Sequence, residues 1–143
     1  MKSMNRFFAL FMGVLLLQSC ALYAAYGIYR TVKDINGTLT MVSSSITRIQ
    51  GVIKEGKDLK RAAEDGKLIA TLSEKIPSMI QKQVEQATKD KIQLFSGDLK
   101  TASLDLAKNA IKEDLTATTQ SYNNMVNVYN QFSGLMNSLE ESK

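Results

Sequence analysis

The sequence predicts an all-α protein: an N-terminal transmembrane or signal-anchor helix, then an elongated helical hairpin or three-helix bundle with coiled-coil seams. Three observations lead to this fold class. A charge-free apolar run occupies Phe7–Tyr29, apolar residues further along recur at alternating three- and four-residue steps, and the 143 residues include one proline. Such steps are typical of helices that pack along one face. The predicted organisation is a membrane anchor or signal segment over 1–29 and an exported helical domain over 30–143.

The apolar run is long enough to cross a bilayer. A helix of this length reaches roughly 35 Å at about 1.5 Å per residue, and the hydrocarbon core measures about 30 Å. Lys2 and Arg6 precede the run and favour a cytoplasmic N-terminus with an exported C-terminal part. Tyr23, Tyr26 and Tyr29 lie where amphipathic rings favour the membrane surface. The first interpretation of this segment is therefore an uncleaved signal anchor.

The start of the chain also resembles a bacterial prolipoprotein signal. The apolar residues of Phe7–Leu17 lead into the sequence LLQSC at residues 16–20, which is similar to a lipobox. The resemblance covers residues 1–20 and implies lipidation of Cys20, which would then begin the mature chain. A third interpretation is cleavage by an ordinary signal peptidase after Ala21. The sequence leaves these three interpretations open.

The first exported helix is predicted over residues 30–55. Its apolar side chains fall on one helix face, which continues directly out of the membrane segment. A β-hairpin around Asn36-Gly37 is the alternative, because this pair is a favoured two-residue turn and the flanking residues are rich in β-branched side chains. The helix is favoured because its period holds over seven consecutive positions. The predicted seam comprises Val32, Ile35, Leu39, Val42, Ile46, Ile49 and Ile53.

The second helix is predicted over residues 58–95. It begins within a highly charged stretch, residues 54–67, which is expected to form a turn or a solvated length of helix between two packed helices. Pro77 interrupts the pattern. Because proline has no amide hydrogen to donate, a kink or break is expected near it.

The third helix is predicted over residues 98–140. Its boundary is placed at Ser96-Gly97-Asp98, where a glycine lies beside two residues that cap helices well. The second half of this helix has a bulky seam, which suits the slender seam of the first helix. The two segments are therefore predicted to pack together, antiparallel if the chain folds back once. The bulky side of this predicted interface comprises Leu115, Tyr122, Met125, Tyr129, Phe132, Met136 and Leu139.

Both seam segments are poor in charge. Residues 115–139 contain no charged side chain, and residues 32–53 contain only Lys33, Asp34 and Arg48. A surface helix in water normally carries charges on its outer face, so these segments indicate either self-packing with an incidental neutral surface or an interface with a partner. The expected partners are the membrane and other helical proteins or copies of this chain.

Composition argues against catalysis. The chain has no histidine, and its one cysteine lies in the apolar run, so neither a Ser-His or Cys-His nucleophile nor a usual zinc site can be assembled. The carboxylate pairs Glu64-Asp65 and Glu113-Asp114 lie among lysines and are interpreted as solvated charge. Residues 54–114 mix twelve basic with eleven acidic groups, which disfavours nucleic-acid binding. The sequence predicts no enzyme activity, no catalytic or metal-binding residues and no cofactor.

These features predict a membrane-tethered helical structural or interaction subunit of a bacterial or phage-encoded cell-envelope assembly, such as a secretion or conjugation system. It is expected to work by helix–helix association, anchored in the inner membrane with a periplasmic C-terminal domain. The alternative is a lipid-anchored surface or periplasmic lipoprotein that binds a host factor or ligand, with Cys20 as the lipidated residue.

Overall fold

Residues 2–141 form four α-helices. A computed structural model describes the backbone of residues 2–141 and the side chains of residues 22–141. A short 3-10 helix, Ile76–Met79, follows the second helix directly. The α-helices are α1 (Lys2–Glu55), α2 (Leu59–Lys75), α3 (Gln86–Ile111) and α4 (Leu115–Glu141). The all-α prediction is confirmed, while the hairpin or three-helix bundle is replaced by four helices.

The helices form a closed ring in which α1 and α3 each pack against both α2 and α4. At one end of the bundle, the Asn36 amide of α1 donates a hydrogen bond of 3.5 Å to Glu140 of α4. At the other end, a β-carbon built on Gly56, just beyond α1, would lie 3.6 Å from the side chain of Leu115. Helices α1 and α4 therefore lie side by side and antiparallel. The sequence predicted this antiparallel pairing for a chain that reverses direction once. The pairing is observed, but the chain reverses direction three times before α4 meets α1.

Helix α1 is continuous from Lys2 to Glu55, a length of about 80 Å. The alternative hairpin at Asn36-Gly37 is therefore wrong, and the described residues contain no β-strand. Gly37 is exposed within the helix, with open space where a β-carbon would lie. Its helix-propensity cost of about 1 kcal/mol is small beside the burial of the apolar seam.

The predicted anchor and the first helix of the bundle are parts of one continuous helix, α1. The apolar run Phe7–Tyr29 lies mostly outside the residues whose side chains are described. Within residues 22–141, Gly27 is the first buried position, and Leu22 and Tyr23 before it are 72% and 63% exposed. Within the described residues, no helix is both long enough and apolar enough to cross a membrane.

The predicted break near Pro77 divides the segment 58–95 between two helices. Helix α2 ends at Lys75, and Pro77 occupies the first turn of the 3-10 helix, where its missing amide hydrogen is tolerated. Helical structure then resumes only at Gln86. Residues of the connection between α2 and α3 pack against α1.

This α2–α3 connection is fixed to α1 by polar contacts. The hydroxyl of Thr31 accepts a 2.9 Å hydrogen bond from the backbone amide of Gln81, and Thr31 is buried. The connection also passes close over Gly27, where a β-carbon would lie 2.8 Å from that of Gln83. Glycine at position 27 is therefore what lets the connection approach the α1 backbone.

The helix boundary predicted at Ser96-Gly97-Asp98 is wrong, since these residues lie inside α3. Ser96 is buried and its hydroxyl donates to the carbonyl of Gln93, so it does not cap a helix start. The buried side chains of Ile92 and Leu99 continue one apolar face through the glycine. Burial of that face outweighs the roughly 1 kcal/mol that glycine costs in a helix.

The turn lies at residues 112–114 instead. Glu113 adopts a left-handed conformation with φ of 59°, although it is not a glycine. Asp114 then caps α4, because its carboxylate accepts a 2.9 Å hydrogen bond from the backbone amide of Ala117. The third helix predicted over 98–140 is thus the second half of α3 together with α4.

Candidate interaction surface

The predicted helix–helix interface lies inside the bundle. Leu115 is the exception, being 39% exposed at the start of α4. The partly buried members, packed against the same core, are Ile46, Ile53, Tyr122, Tyr129 and Leu139. The buried members are Val32, Ile35, Leu39, Val42, Ile49, Met125, Phe132 and Met136. The apolar seams of α1 and α4 therefore contribute to one intramolecular core.

Phe132 is fully buried in this core. Its ring stacks on that of Phe95 in α3, with ring centroids 5.9 Å apart and planes inclined by 18°. Burial raises the pKa of the Tyr122 phenol, which lies on the same helix and packs against the core. The bulky seam of α4 thus faces α3 as well as α1, since α4 contacts both helices.

Charge is unevenly distributed over the outside of the bundle. Lys100 of α3 pairs with Glu74 of α2 at 3.0 Å, which joins the charged faces of these two helices. Exposed charges of both signs occur along α2 and α3, namely Lys60, Arg61, Glu64, Lys67, Asp90, Lys91, Asp98, Asp105 and Lys108. The outer faces of α1 and α4 lack such a distribution.

The outward side of α4 has a seam of its own. Its exposed residues follow a strict alternation of four- and three-residue steps, so they form one stripe opposite the buried seam. We call this stripe the outer seam of α4. It comprises Thr116, Gln120, Asn123, Asn127, Asn130, Gly134 and Asn137. Every member is uncharged, and four of the seven are asparagine.

Asparagine is an unfavourable choice for these positions if stability alone is considered. Each helical asparagine costs about 0.6 kcal/mol relative to alanine, so the four asparagines together cost about 2–3 kcal/mol. All four asparagines are exposed, and the side-chain hydrogen bond that reaches one of them comes from the same helix, where Gln131 donates to Asn127 at 3.3 Å. The cost is therefore not offset by packing against other parts of the described chain.

The outward side of α1 carries a stripe of small residues, which we call the outer seam of α1. Its members are Gly37, Thr40, Ser44, Thr47 and Gly51, all exposed. The hydroxyls are already used within the helix: Thr40 donates to the Asn36 carbonyl at 2.9 Å, and Ser44 donates to the Thr40 carbonyl at 3.1 Å. The hydroxyl hydrogens of Thr40 and Ser44 are therefore not available to donate to a neighbour.

An ion pair marks the border between the neutral and charged faces. The Arg48 guanidinium of α1 holds the Asp65 carboxylate of α2, with Nε 3.0 and 3.1 Å from the two carboxylate oxygens. Arg48 also donates to the Ser45 hydroxyl at 2.8 Å. Hydrogen bonding to Asp65 raises the pKa of Arg48. Arg48, the one cation of residues 34–53, is thus bound by groups of this same chain.

Two surface hollows adjoin the neutral face. One, of about 490 Å³, lies at the start of α4 and is lined by Leu115, Thr119 and three members of the outer seam of α4. The other, of about 260 Å³, lies at the opposite end, between Lys33 and Asn36 of α1 and Glu140 of α4. Both are open to solvent.

Three of the four acidic residues singled out in the sequence make contacts within the bundle. Asp65 holds Arg48, and Asp114 caps α4. Glu113 lies 3.8 Å from Lys60, with both side chains largely exposed. Among the described side chains, no group of three or more histidine, cysteine, aspartate or glutamate residues could hold a metal ion. Cys20 lies within α1, and its side chain is outside the described residues.

The outer seam of α4 was missed by sequence reasoning, although its signal is present. The sequence predicts the apolar seam as the interface, and the absence of charge from residues 115–139 does not by itself identify the exposed stripe. A second 3-4 pattern, offset from the apolar one and built of amides, is the feature that identifies the exposed stripe.

Comparison with known proteins adds no assignment, since no family model, no curated protein and no solved structure matches this chain. The candidate interaction surface therefore rests on the structure of this chain alone. It consists of an uncharged, amide-rich stripe on α4 and a stripe of small residues on α1.

Proposed function

We propose that this protein is a membrane-tethered helical interaction subunit of a bacterial or phage-encoded cell-envelope assembly. The apolar run Phe7–Tyr29 holds the chain in the membrane, and the bundle presents its uncharged face to a protein partner. The protein acts by placing this face at a fixed height and direction above the membrane, without catalysing a reaction.

The observation that carries this proposal is the continuity of α1. The helix passes from the apolar run into the bundle without a break at residues 29–30. Tyr23, Tyr26 and Tyr29 remain 63%, 58% and 47% exposed just before or at the start of the packed region. Exposed tyrosines next to an apolar run suit the interface between membrane and water.

The charge-poor outer faces of α1 and α4 support the interaction role. Protein interfaces are depleted of charged residues at their centres, whereas solvated helix faces normally carry them. The outer faces of α2 and α3, which carry exposed charges of both signs, provide the comparison within the same molecule.

Membrane attachment is tested by fractionating cells that express the full chain. We expect the protein to stay in the membrane pellet after alkaline carbonate washing and to enter detergent. The variant Leu15→Arg/Leu17→Arg should be released, because each arginine near the centre of a spanning helix costs about 2.5–3.5 kcal/mol. Leu104→Arg is the matched control, since Leu104 is 45% exposed on α3.

The mass of the mature N-terminus then identifies the anchor. An intact Met1 is expected for the uncleaved helix, while a diacylglyceryl group on Cys20 identifies the lipoprotein alternative. Crosslinking in the native membrane tests the interaction role. A chain that is recovered in the soluble fraction, or that stays in the membrane without forming any crosslinked complex, contradicts the proposal.

A further inference from the structure

We infer that the outer seam of α4 pairs with the same seam of a second copy of this chain, parallel and in register. This inference rests on the proposed membrane tether and names the partner of the uncharged face. The paired element is a two-stranded contact between two α4 helices, centred on Asn127.

Amide chemistry favours a copy of the same seam as the occupant. An asparagine side chain has both donor and acceptor groups, so two asparagines can hydrogen-bond to each other. In two-stranded coiled coils, a single asparagine in an otherwise apolar seam fixes register and strand number at a cost in stability. Asn123, Asn127 and Asn130 occupy consecutive seam positions on α4, so an in-register pair aligns each with its own counterpart.

Charge selects this face over the others. Two copies of the outer seam of α4 meet without like-charge repulsion. Two copies of the α2–α3 face, in contrast, would bring lysine against lysine and carboxylate against carboxylate. The outer seam of α1 is also neutral, but the Thr40 and Ser44 hydroxyls are bonded to their own helix. The amides of α4 are therefore the polar groups best placed to bond to a second copy.

The tether sets the orientation of the pair. Two copies anchored in one membrane through α1 stand side by side with the same polarity. Their α4 helices then both run toward the end of the bundle at which Asn36 meets Glu140. Parallel alignment is the arrangement in which identical seam residues lie at equal height, as pairing of each asparagine with its counterpart requires.

The area explains why the tether is needed. Helix α4 has 27 residues, so its seam is about 40 Å long and about 10 Å wide. Pairing would bury about 400 Å² on each copy, or about 800 Å² in total, which is below the roughly 1,200–2,000 Å² of stable complexes. Confinement in a membrane raises the effective concentration of the copies and favours such a weak contact.

Thiol crosslinking of the full chain in membranes tests the pairing. Asn127→Cys places a thiol at the middle of the seam, and Thr101→Cys places one at an exposed position on α3. Cys20 is retained in both variants and in the parent chain, so any product formed through it appears in all three. With a short bis-maleimide, we expect at least a tenfold higher yield of the two-copy species for Asn127→Cys than for Thr101→Cys.

A second set of variants tests the chemistry of the seam. Adding Asn123→Lys and Asn130→Lys to Asn127→Cys should reduce the two-copy species at least tenfold, because it sets like charges against each other. Adding Gln93→Lys and Thr101→Lys, on exposed positions of α3, should leave the yield unchanged. Circular dichroism of each variant checks that the helices are retained.

Three results overturn the inference: equal yields for Asn127→Cys and Thr101→Cys, insensitivity to the seam lysines, or a dominant product whose mass contains a different protein. In the last case the membrane tether and the interaction role still stand. Loss of the parent chain from the membrane pellet counts against the proposed function instead, so the two failures are distinguishable.

Discussion

Gly66 of α2 lies directly against the backbone of Ser103 in α3. A β-carbon at position 66 would come within 3.0 Å of the Ser103 carbonyl oxygen, and equally close to the side chain of Leu106. Ser103 is fully buried, and its hydroxyl donates to the Leu99 carbonyl at 2.7 Å. The two helices therefore touch through their backbones at this point, where neither can shift without disturbing the core.

Substitution Gly66→Ala is expected to destabilise the bundle by about 1–3 kcal/mol, since the added methyl group overpacks a backbone contact. Urea denaturation measures the loss. Gly51→Ala is the matched control, because Gly51 is exposed with open space around its α-carbon. It should raise the free energy of unfolding by about 0.5–1 kcal/mol through helix propensity alone. Equal effects of the two substitutions would contradict the close approach.

The ion pair between Arg48 and Asp65 should contribute a measurable coupling between α1 and α2. A double-mutant cycle with Arg48→Met and Asp65→Asn is expected to give about 0.5–1 kcal/mol, near the upper end for partly exposed pairs, because the contact is bidentate. Repeating the cycle at high salt should reduce this coupling. The Lys100–Glu74 pair, with a single contact at 3.0 Å, serves as the comparison and should give a smaller value.

The start of α4 depends on Asp114. Asp114→Ala removes the acceptor for the Ala117 amide and is expected to lower the free energy of unfolding by about 1 kcal/mol, as measured by thermal or urea denaturation. Asp114→Asn keeps a capping oxygen and should cost much less. A loss of similar size for both variants would point to the charge of Asp114 rather than to its capping bond.

Stability should also fall at high pH because of Tyr122. Burial raises the pKa of this phenol, so the folded state favours the neutral hydroxyl. Its contribution is fully present below the unfolded-state pKa of about 10 and is lost as the pH rises through the higher folded-state pKa. Denaturation of the parent chain and of Tyr122→Phe, from about pH 8 to about pH 11, should show the steeper decline in the parent. Parallel curves would rule out this contribution.

Local periodicity was sufficient to predict the helical fold and the burial pattern of α1. Its seam holds a strict period from Val32 to Ile53, and no turn residue overrides it. The turn after α3 was not predicted because no glycine or proline lies near Glu113. The residue in the left-handed conformation is a glutamate, and Asp114, which caps α4, was interpreted as solvated charge together with Glu113. Gly97 gave the opposite error, since tertiary burial of Leu99 keeps the helix intact around it.

The candidate surface was predicted in its composition but not in its position. Absence of charge from residues 115–139 is visible in the sequence, yet it cannot show which neutral side chains the other helices cover. Which side chains are covered depends on the number of helices. Because α3 is a separate helix, Phe132 stacks on Phe95, and the apolar seam of α4 is buried within the bundle. The asparagines on the opposite side then become the exposed stripe.

In the proposed membrane arrangement, the unbroken passage of α1 through Gly27 would let the helix act as a rigid lever. From Gly27 to Glu55 the helix rises about 43 Å, and the described backbone includes no hinge along this length. In the proposed membrane arrangement, a tilt of about 20°, typical of spanning helices, would displace the turn at Gly56 sideways by about 15 Å. Bilayer thickness and the packing of the anchor would in this way set the lateral reach of the far end of the bundle.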